Sequence, residues 1–181
     1  VAVPASRGAY GRARGRPCAS CVLGPIRVRA WTGRSMDGYQ EFLLTVRRDI
    51  NCLSDSDRMV RRGAIIRLEK TLLSSGKTSS DLVRRLFLEE LHKPLFRLFA
   101  DQTEKCRELS VSMTSQFVDL VPVEDLDNVL PLLLAALLGR FRTLPFPEVS
   151  EELRLECLRL LSHLFAICKE RLRPFAGDVI D

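Results

Sequence analysis

Histidine and aromatic residues are scarce in this chain, and both shortages narrow its chemistry. Only two histidines, His92 and His163, occur among 181 residues, and they fall in different parts of the helical pattern described below. No G-x-S-x-G, H-E-x-x-H, Walker-type or dinucleotide-binding glycine pattern is present, so the usual spacings for nucleophilic, zinc-dependent or phosphate chemistry are missing. Paired carboxylates such as Glu89-Glu90 and Glu151-Glu152 are neighbours in sequence, and on a helix neighbours project about 100° apart. They do not converge on one substrate. An enzyme is not expected, and the sequence implies no cofactor and no metal.

Aromatics make up 7% of the chain while leucine dominates the 46% that is apolar, a balance that favours packed helices over a β-sandwich. No apolar run reaches the roughly 18–20 residues needed to span a bilayer; the longest, Val129–Leu138, contains Pro131 and stops at Gly139-Arg140. The six cysteines are irregularly spaced and do not describe a disulfide framework. Four of them (Cys52, Cys106, Cys157, Cys168) stand beside leucines in helical patterns, where a free thiol packs as a small apolar group. Reduced intracellular thiols are the expectation.

Acidic residues are absent from positions 1–35, which carry seven arginines, five of the ten glycines and three of the nine prolines. Taking those seven from the 28 basic side chains leaves 21 against 23 acidic ones, so the net charge of +5 belongs to this segment and the rest is slightly acidic. The chain opens on Val1, and helical periodicity starts just after Met36. Three readings stay open: translated leader sequence with Met36 as the initiator, an organelle-targeting peptide, or a disordered basic arm for anionic partners. Cys18-Ala-Ser-Cys21 lies here without a second ligand pair at finger spacing, so it reads as a chance pair.

From residue 36 a repeat organises the chain. Ile50-Asn-Cys-Leu53-Ser-Asp55 recurs 46 residues on as Phe96-Arg-Leu98-Phe99-Ala-Asp101, and Arg61, Arg107 and Arg154 follow at steps of 46 and 47. Each unit reads as two helices, with units at about 39–74, 81–121 and 125–171 and a partial fourth at 172–181. The upstream helices are expected near Tyr39–Leu53, Leu82–Phe99 and Asp125–Leu138, the last two apolar nearly all round, as in a layer covered on several sides. Downstream helices carry Val60, Ala64, Leu68 and Leu72; Cys106, Leu109, Met113, Phe117 and Leu120; and Leu153, Cys157, Leu160, Leu161, Leu164 and Cys168 on one face each. Ser80 and Ser150 are expected N-caps. Pro94 and Pro131 each mark either a bend or a first turn, and their recurrence suggests a built-in bend. An array needs a polar terminal cap, so the uncapped half-unit at the end suggests a longer parent molecule.

Helix pairs of this length, with an acid in the turn (Asp55 or Asp57, then Asp101) and an arginine early in the second helix, resemble the HEAT repeat. The fold class is accordingly all-α, an α-α superhelix of the HEAT/armadillo solenoid type with about three helix pairs and the start of a fourth. The third unit departs from the motif, because Gly139–Val149 replaces the short acidic turn with a longer loop holding Pro145 and Pro147. Arg61, Arg107 and Arg154 are candidates for a ladder of charge-assisted hydrogen bonds with Asp55 and Asp101. They are also candidates for a protein-contact stripe on the concave face, joined by Arg62 and Arg159. Acids interrupt that stripe, so the partner it implies is a protein of mixed charge.

A narrower resemblance rests on Glu151-Glu-Leu-Arg-Leu-Glu-Cys-Leu-Arg-Leu-Leu161 followed by Arg173-Pro-Phe-Ala176, on Arg48-Asp-Ile-Asn-Cys-Leu53, and on the Pro- and Arg-rich linker Gly139–Ser150. These stretches resemble the N-terminal repeats of the dynein axonemal assembly factor 5 family. The resemblance implies a non-enzymatic, cytoplasmic scaffold that helps preassemble outer and inner dynein arms for motile cilia. It also implies dynein intermediate or heavy chains and chaperone machinery as partners, with neither membrane nor nucleic acid for the folded part. Importin-like transport, phosphatase scaffolding and tubulin binding remain as alternatives that share the repeat and differ in partner.

Overall fold

The computed structural model describes residues 38–74 and 78–175. The basic leader and its C-x-x-C pair lie outside the described residues, as do the last positions of the partial fourth unit.

Within this range the chain is a succession of antiparallel helices. Helix α1 (Gly38–Cys52) buries Tyr39, Leu43, Val46 and Ile50, steps of three and four that put one apolar stripe on the core. Asp57 caps α2 (Arg58–Glu69), its carboxylate accepting from the Met59 N–H at 2.7 Å, and a wider π-helical turn extends the helix over Lys70–Ser74.

The second unit begins with a helix in two parts, α3 (Ser80–Leu86) and α4 (His92–Arg97), joined by the π turn Phe87–Leu91 and closed by a 3₁₀ turn at Leu98–Ala100. Its N-cap position is Ser79, one residue before the expected Ser80, and no side chain closes it. Proline explains the bend. Pro94 has no N–H to give, and its ring crowds the carbonyl four residues back, so the ladder widens by one residue just before it. The His92 N–H reaches the Phe87 carbonyl across that wide turn, and His92 Nδ1 donates to the same oxygen at 3.0 Å. Because a carbonyl only accepts, Nδ1 carries the proton, and burial holds the imidazole below its usual value.

Helix α5 (Glu104–Leu120) completes that unit. The third opens with two short helices, α6 (Val123–Leu126) and α7 (Leu130–Leu138), where one helix over 125–138 was expected. Pro131 stands in the first turn of α7, a position that has no intrahelical N–H bond to lose. The two prolines therefore act differently, one bending a helix and one starting a helix. Helix α8 (Glu151–Cys168) is capped by Ser150 as expected and passes, through Lys169 at a positive φ of 42°, into a 3₁₀ stretch, Lys169–Phe175, that contains Pro174.

Packing follows the order of an α-α solenoid. The second helices stack in sequence, α2 on α5 on α8, while α1 meets α3 and α4 meets α7 in the other layer. One core runs through all three pairs, and within it Phe87 stacks on Phe117 at 4.5 Å between ring centroids. Three of the four helical cysteines lie in this core and Cys52 is half-buried. Burial pushes the Cys157 thiol up to about 11, so the reactive thiolate is scarce there at neutral pH. Among these four, Cys52 is expected to take up a maleimide first and Cys157 to stay unmodified until the array unfolds, read by mass spectrometry of tryptic peptides.

The repeat register has a direct packing consequence. Arg61, Ile65 and Leu68 on α2 and Leu72 on its π-helical extension correspond to Arg107, Val111, Thr114 and Val118 on α5, and to Arg154, Leu158, Leu161 and Phe165 on α8. Apart from half-buried Arg61, the first two rows are buried. The third is only partly covered: Arg154 and Leu161 are half-buried, while Leu158 is 49% and Phe165 41% exposed.

Candidate functional site: an arginine ladder between units

The turn between the helices of each pair is built around one acid. Asp55 accepts from the Asp57 N–H at 2.8 Å, Asp101 from the Thr103 N–H at 2.7 Å, and Glu148 from the Ser150 N–H at 3.1 Å. Each acid thus orders the residue two positions on, just ahead of the second helix. The alternative between Asp55 and Asp57 resolves on geometry: Asp55 is the turn acid, and Asp57 is the helix cap.

Six residues after each acid comes the arginine. Its Nη1 turns back on the turn carbonyls: Arg61 donates to the Asp55 and Ser56 oxygens, both at 2.9 Å. Arg107 repeats this with the Asp101 and Gln102 carbonyls at 2.9 and 3.4 Å, and Arg154 with Glu148 and Val149 at 2.9 and 3.4 Å. The remaining edge of the fork faces the next unit. Arg61 clasps the Asp101 carboxylate with Nε at 2.6 Å and Nη2 at 2.9 Å. Arg107 clasps Glu148 in the same manner, at 2.6 and 2.8 Å. Each guanidinium therefore closes its own turn and locks the next turn, using the paired donors that lysine lacks.

Glu148 was not legible as part of this series, and it is the most buried member, at 1% exposure. Besides Arg107 it accepts from Arg140 Nη2 at 3.3 Å. The long loop thus keeps the motif, with glutamate in place of aspartate at the same six-residue offset from the arginine. That offset, shared by Asp55–Arg61, Asp101–Arg107 and Glu148–Arg154, was the available signal.

The other sequence candidates lie apart from the ladder. Arg154 has no acid of a following unit among the described residues; its Nη2 is 3.5 Å from exposed Glu151, and its guanidinium sits over the Phe146 ring. Arg62 is exposed, and Arg159 is exposed and pairs with Glu156 one turn away. Around Arg159 the surface is acidic, because a groove of about 480 Å³ between α5 and α8 is lined by Glu104, Glu108, Glu152 and Glu156. A larger cleft of about 1020 Å³ opens between the first two turns, floored by the Arg61–Asp101 pair and edged by Asp57, Arg58, Arg97 and Glu104.

Burial alone would raise both ladder carboxylates, but the arginine and backbone N–H bonds outweigh it and hold Asp101 and Glu148 below their ordinary values. Their hydrogen bonds push Arg61 and Arg107 up in turn. A carboxylate with a lower value in the folded state stabilises fully above its unfolded value, about 4, and the contribution fades as pH falls through the folded value. Thermal unfolding followed by circular dichroism from pH 7 downward should therefore show a steep loss below about pH 4. Asp101→Asn and Glu148→Gln should be weaker at neutral pH and show a shallower acid slope.

With this geometry in view, the comparisons with known proteins are specific. Residues 52–181 match the family described as dynein axonemal assembly factor 5-like, TPR repeats. The chain is also 38% identical over 133 residues to dynein axonemal assembly factor 5 of Xenopus laevis, covering 74% of this chain and 15% of that protein. No solved structure matches. Tetratricopeptide units are about 34 residues long and HEAT units about 40–47, and the ladder arginines here recur at 46 and 47. The matched span contains every rung of the ladder, and on those two matches the chain belongs to the dynein axonemal assembly factor 5-like family of helical-repeat proteins.

Proposed function

We propose that this chain is a repeat segment of a non-enzymatic, protein-binding scaffold that acts in the cytoplasm to preassemble outer and inner axonemal dynein arms. The observation that carries the reading is the 38% identity to a dynein axonemal assembly factor over 133 residues. Because the chain spans about 15% of that relative's length, the partners are part of the proposal: dynein intermediate or heavy chains, presented together with chaperone machinery. Two features support a scaffold. The buried polar chemistry is spent between units, so Arg61 and Arg107 are unavailable to a ligand. The open side of the second-helix layer alternates charge, with Arg62, Glu108, Arg159 and the acid-lined groove, which suits a protein partner better than a polyanion.

The test is capture of dynein chains by the immobilised full chain from lysate of cells building motile cilia, quantified by mass spectrometry. Enrichment of intermediate or heavy chains with chaperones is expected, with loss of that enrichment when Glu108, Glu152 and Glu156 are replaced by lysine. Enrichment of tubulin, import cargo or phosphatase subunits without dynein would remove the assignment while leaving the solenoid intact.

A further inference from the structure

The opposite layer carries a second surface that the ladder does not explain. Helix α7 (Leu130–Leu138) contains no polar side chain at all. A helix that is apolar all round is ordinarily covered on every side, yet Pro131, Leu132, Ala135 and Gly139 are exposed, Leu132 at 46%. Their spacing of three and four makes one continuous outer stripe. Beside it, where α7 meets α4, lies a cavity of about 310 Å³ with Phe96, Leu132 and Ala136 as its floor and Lys93 and Arg97 on its rim. The two cations stand four residues apart, one turn on the same side of α4. Neither makes an ion pair among the described residues; the nearby acids Glu89 and Glu90 are engaged by Arg85 and Arg47.

We infer that the α4–α7 groove, edged by Lys93 and Arg97 and floored by Phe96, Leu132 and Ala136, docks an acidic amphipathic helix of a partner protein. The chemistry selects this occupant. An apolar floor rimmed by two cations one turn apart fits a helix with aliphatic anchors on one face and two carboxylates at i and i+3 or i+4 beside them. Nine residues of α7 are about 14 Å long, room for two to three turns of a partner. A second copy meeting this face with its own would bring another Lys93–Arg97 pair against the first, and the arginine-rich segment 1–35 carries the same sign, so like charge disfavours both.

The test is a display selection of random 16-residue peptides on the immobilised full chain, with the enriched peptides then made as fluorescent probes. The expected set carries apolar residues at i, i+3 or i+4, and i+7 with Asp or Glu alongside. Its binding should fall at least about tenfold on the Lys93→Glu/Arg97→Glu chain, because attraction becomes repulsion, and similarly on Leu132→Asp. All three substituted residues are solvent-exposed, and unchanged melting curves verify the fold. Binding that ignores both variants, an enriched set without acids, or no enrichment would overturn the inference. Concentration-dependent dimerisation abolished by Leu132→Asp would also overturn it, in favour of a second copy. Dynein capture reads the other layer, so either result leaves that assignment to its own experiment.

Discussion

Glu148→Ala is expected to cost about 3–5 kcal/mol, the range for breaking a buried pair from one side. The residue supports three groups at once: the Arg107 fork, Arg140 Nη2 and the Ser150 N–H. Its loss strands two guanidinium groups whose side chains are 11% and 13% exposed, and a buried unpaired charge is penalised far more than the intact pair is rewarded. Because stability in a repeat array is a sum over neighbours, the damage should be local. Hydrogen exchange in α8 and the 139–150 loop should accelerate strongly while α1 and α2 change little. The double variant Arg107→Leu/Glu148→Leu separates the two sources of cost, and it should be more stable than Glu148→Leu alone. Equal or worse stability in urea titration would mean that Arg107 is not what makes Glu148 indispensable, and that Arg140 carries the interaction.

Much of this architecture was legible because the physics that sets it is local and periodic. The second helices repeat an apolar stripe at steps of three and four, and those stripes face the core. The recurrence of Arg61, Arg107 and Arg154 was visible in the sequence, but not the direction in which each one points. A guanidinium early in a helix can reach the preceding turn or the next unit, and these reach both. Glu148 was hidden by its residue type and by the length of the loop before it. The π turn ahead of Pro94 was hidden for another reason: proline states that a helix is perturbed, and only the packing of Phe87 and His92 decides how the carbonyls are satisfied. Likewise the break before Leu130 lay inside an apolar run, where periodicity carries no phase.

Val111→Asp and Leu158→Asp should differ by about 3 kcal/mol or more, although the two positions are equivalent in the repeat. Val111 lies one turn past Arg107 on the stripe that faces the next unit and is 3% exposed; Leu158 lies one turn past Arg154 on the same stripe and is 49% exposed. A carboxylate at Val111 must enter the α5–α8 interface, where its neighbour Arg107 is already engaged by Glu148, and must either pay its desolvation or take up a proton. About 4 kcal/mol or more is expected at pH 7, easing as pH falls towards 5 because the neutral acid is cheaper to bury. At Leu158 the carboxylate stays in water and displaces only a partly buried aliphatic chain, so the change should remain within about 1 kcal/mol. Urea unfolding of the two variants at pH 7 and pH 5 gives all four numbers. Similar costs at both sites would mean that the α8 stripe is covered in solution, and the open edge of the array would then have to be sought elsewhere. A large difference that shrinks with acid would fix α8 as the exposed end of the described units, with Arg154, Leu158, Leu161 and Phe165 presenting the same chemistry that Arg107, Val111, Thr114 and Val118 already use one unit earlier.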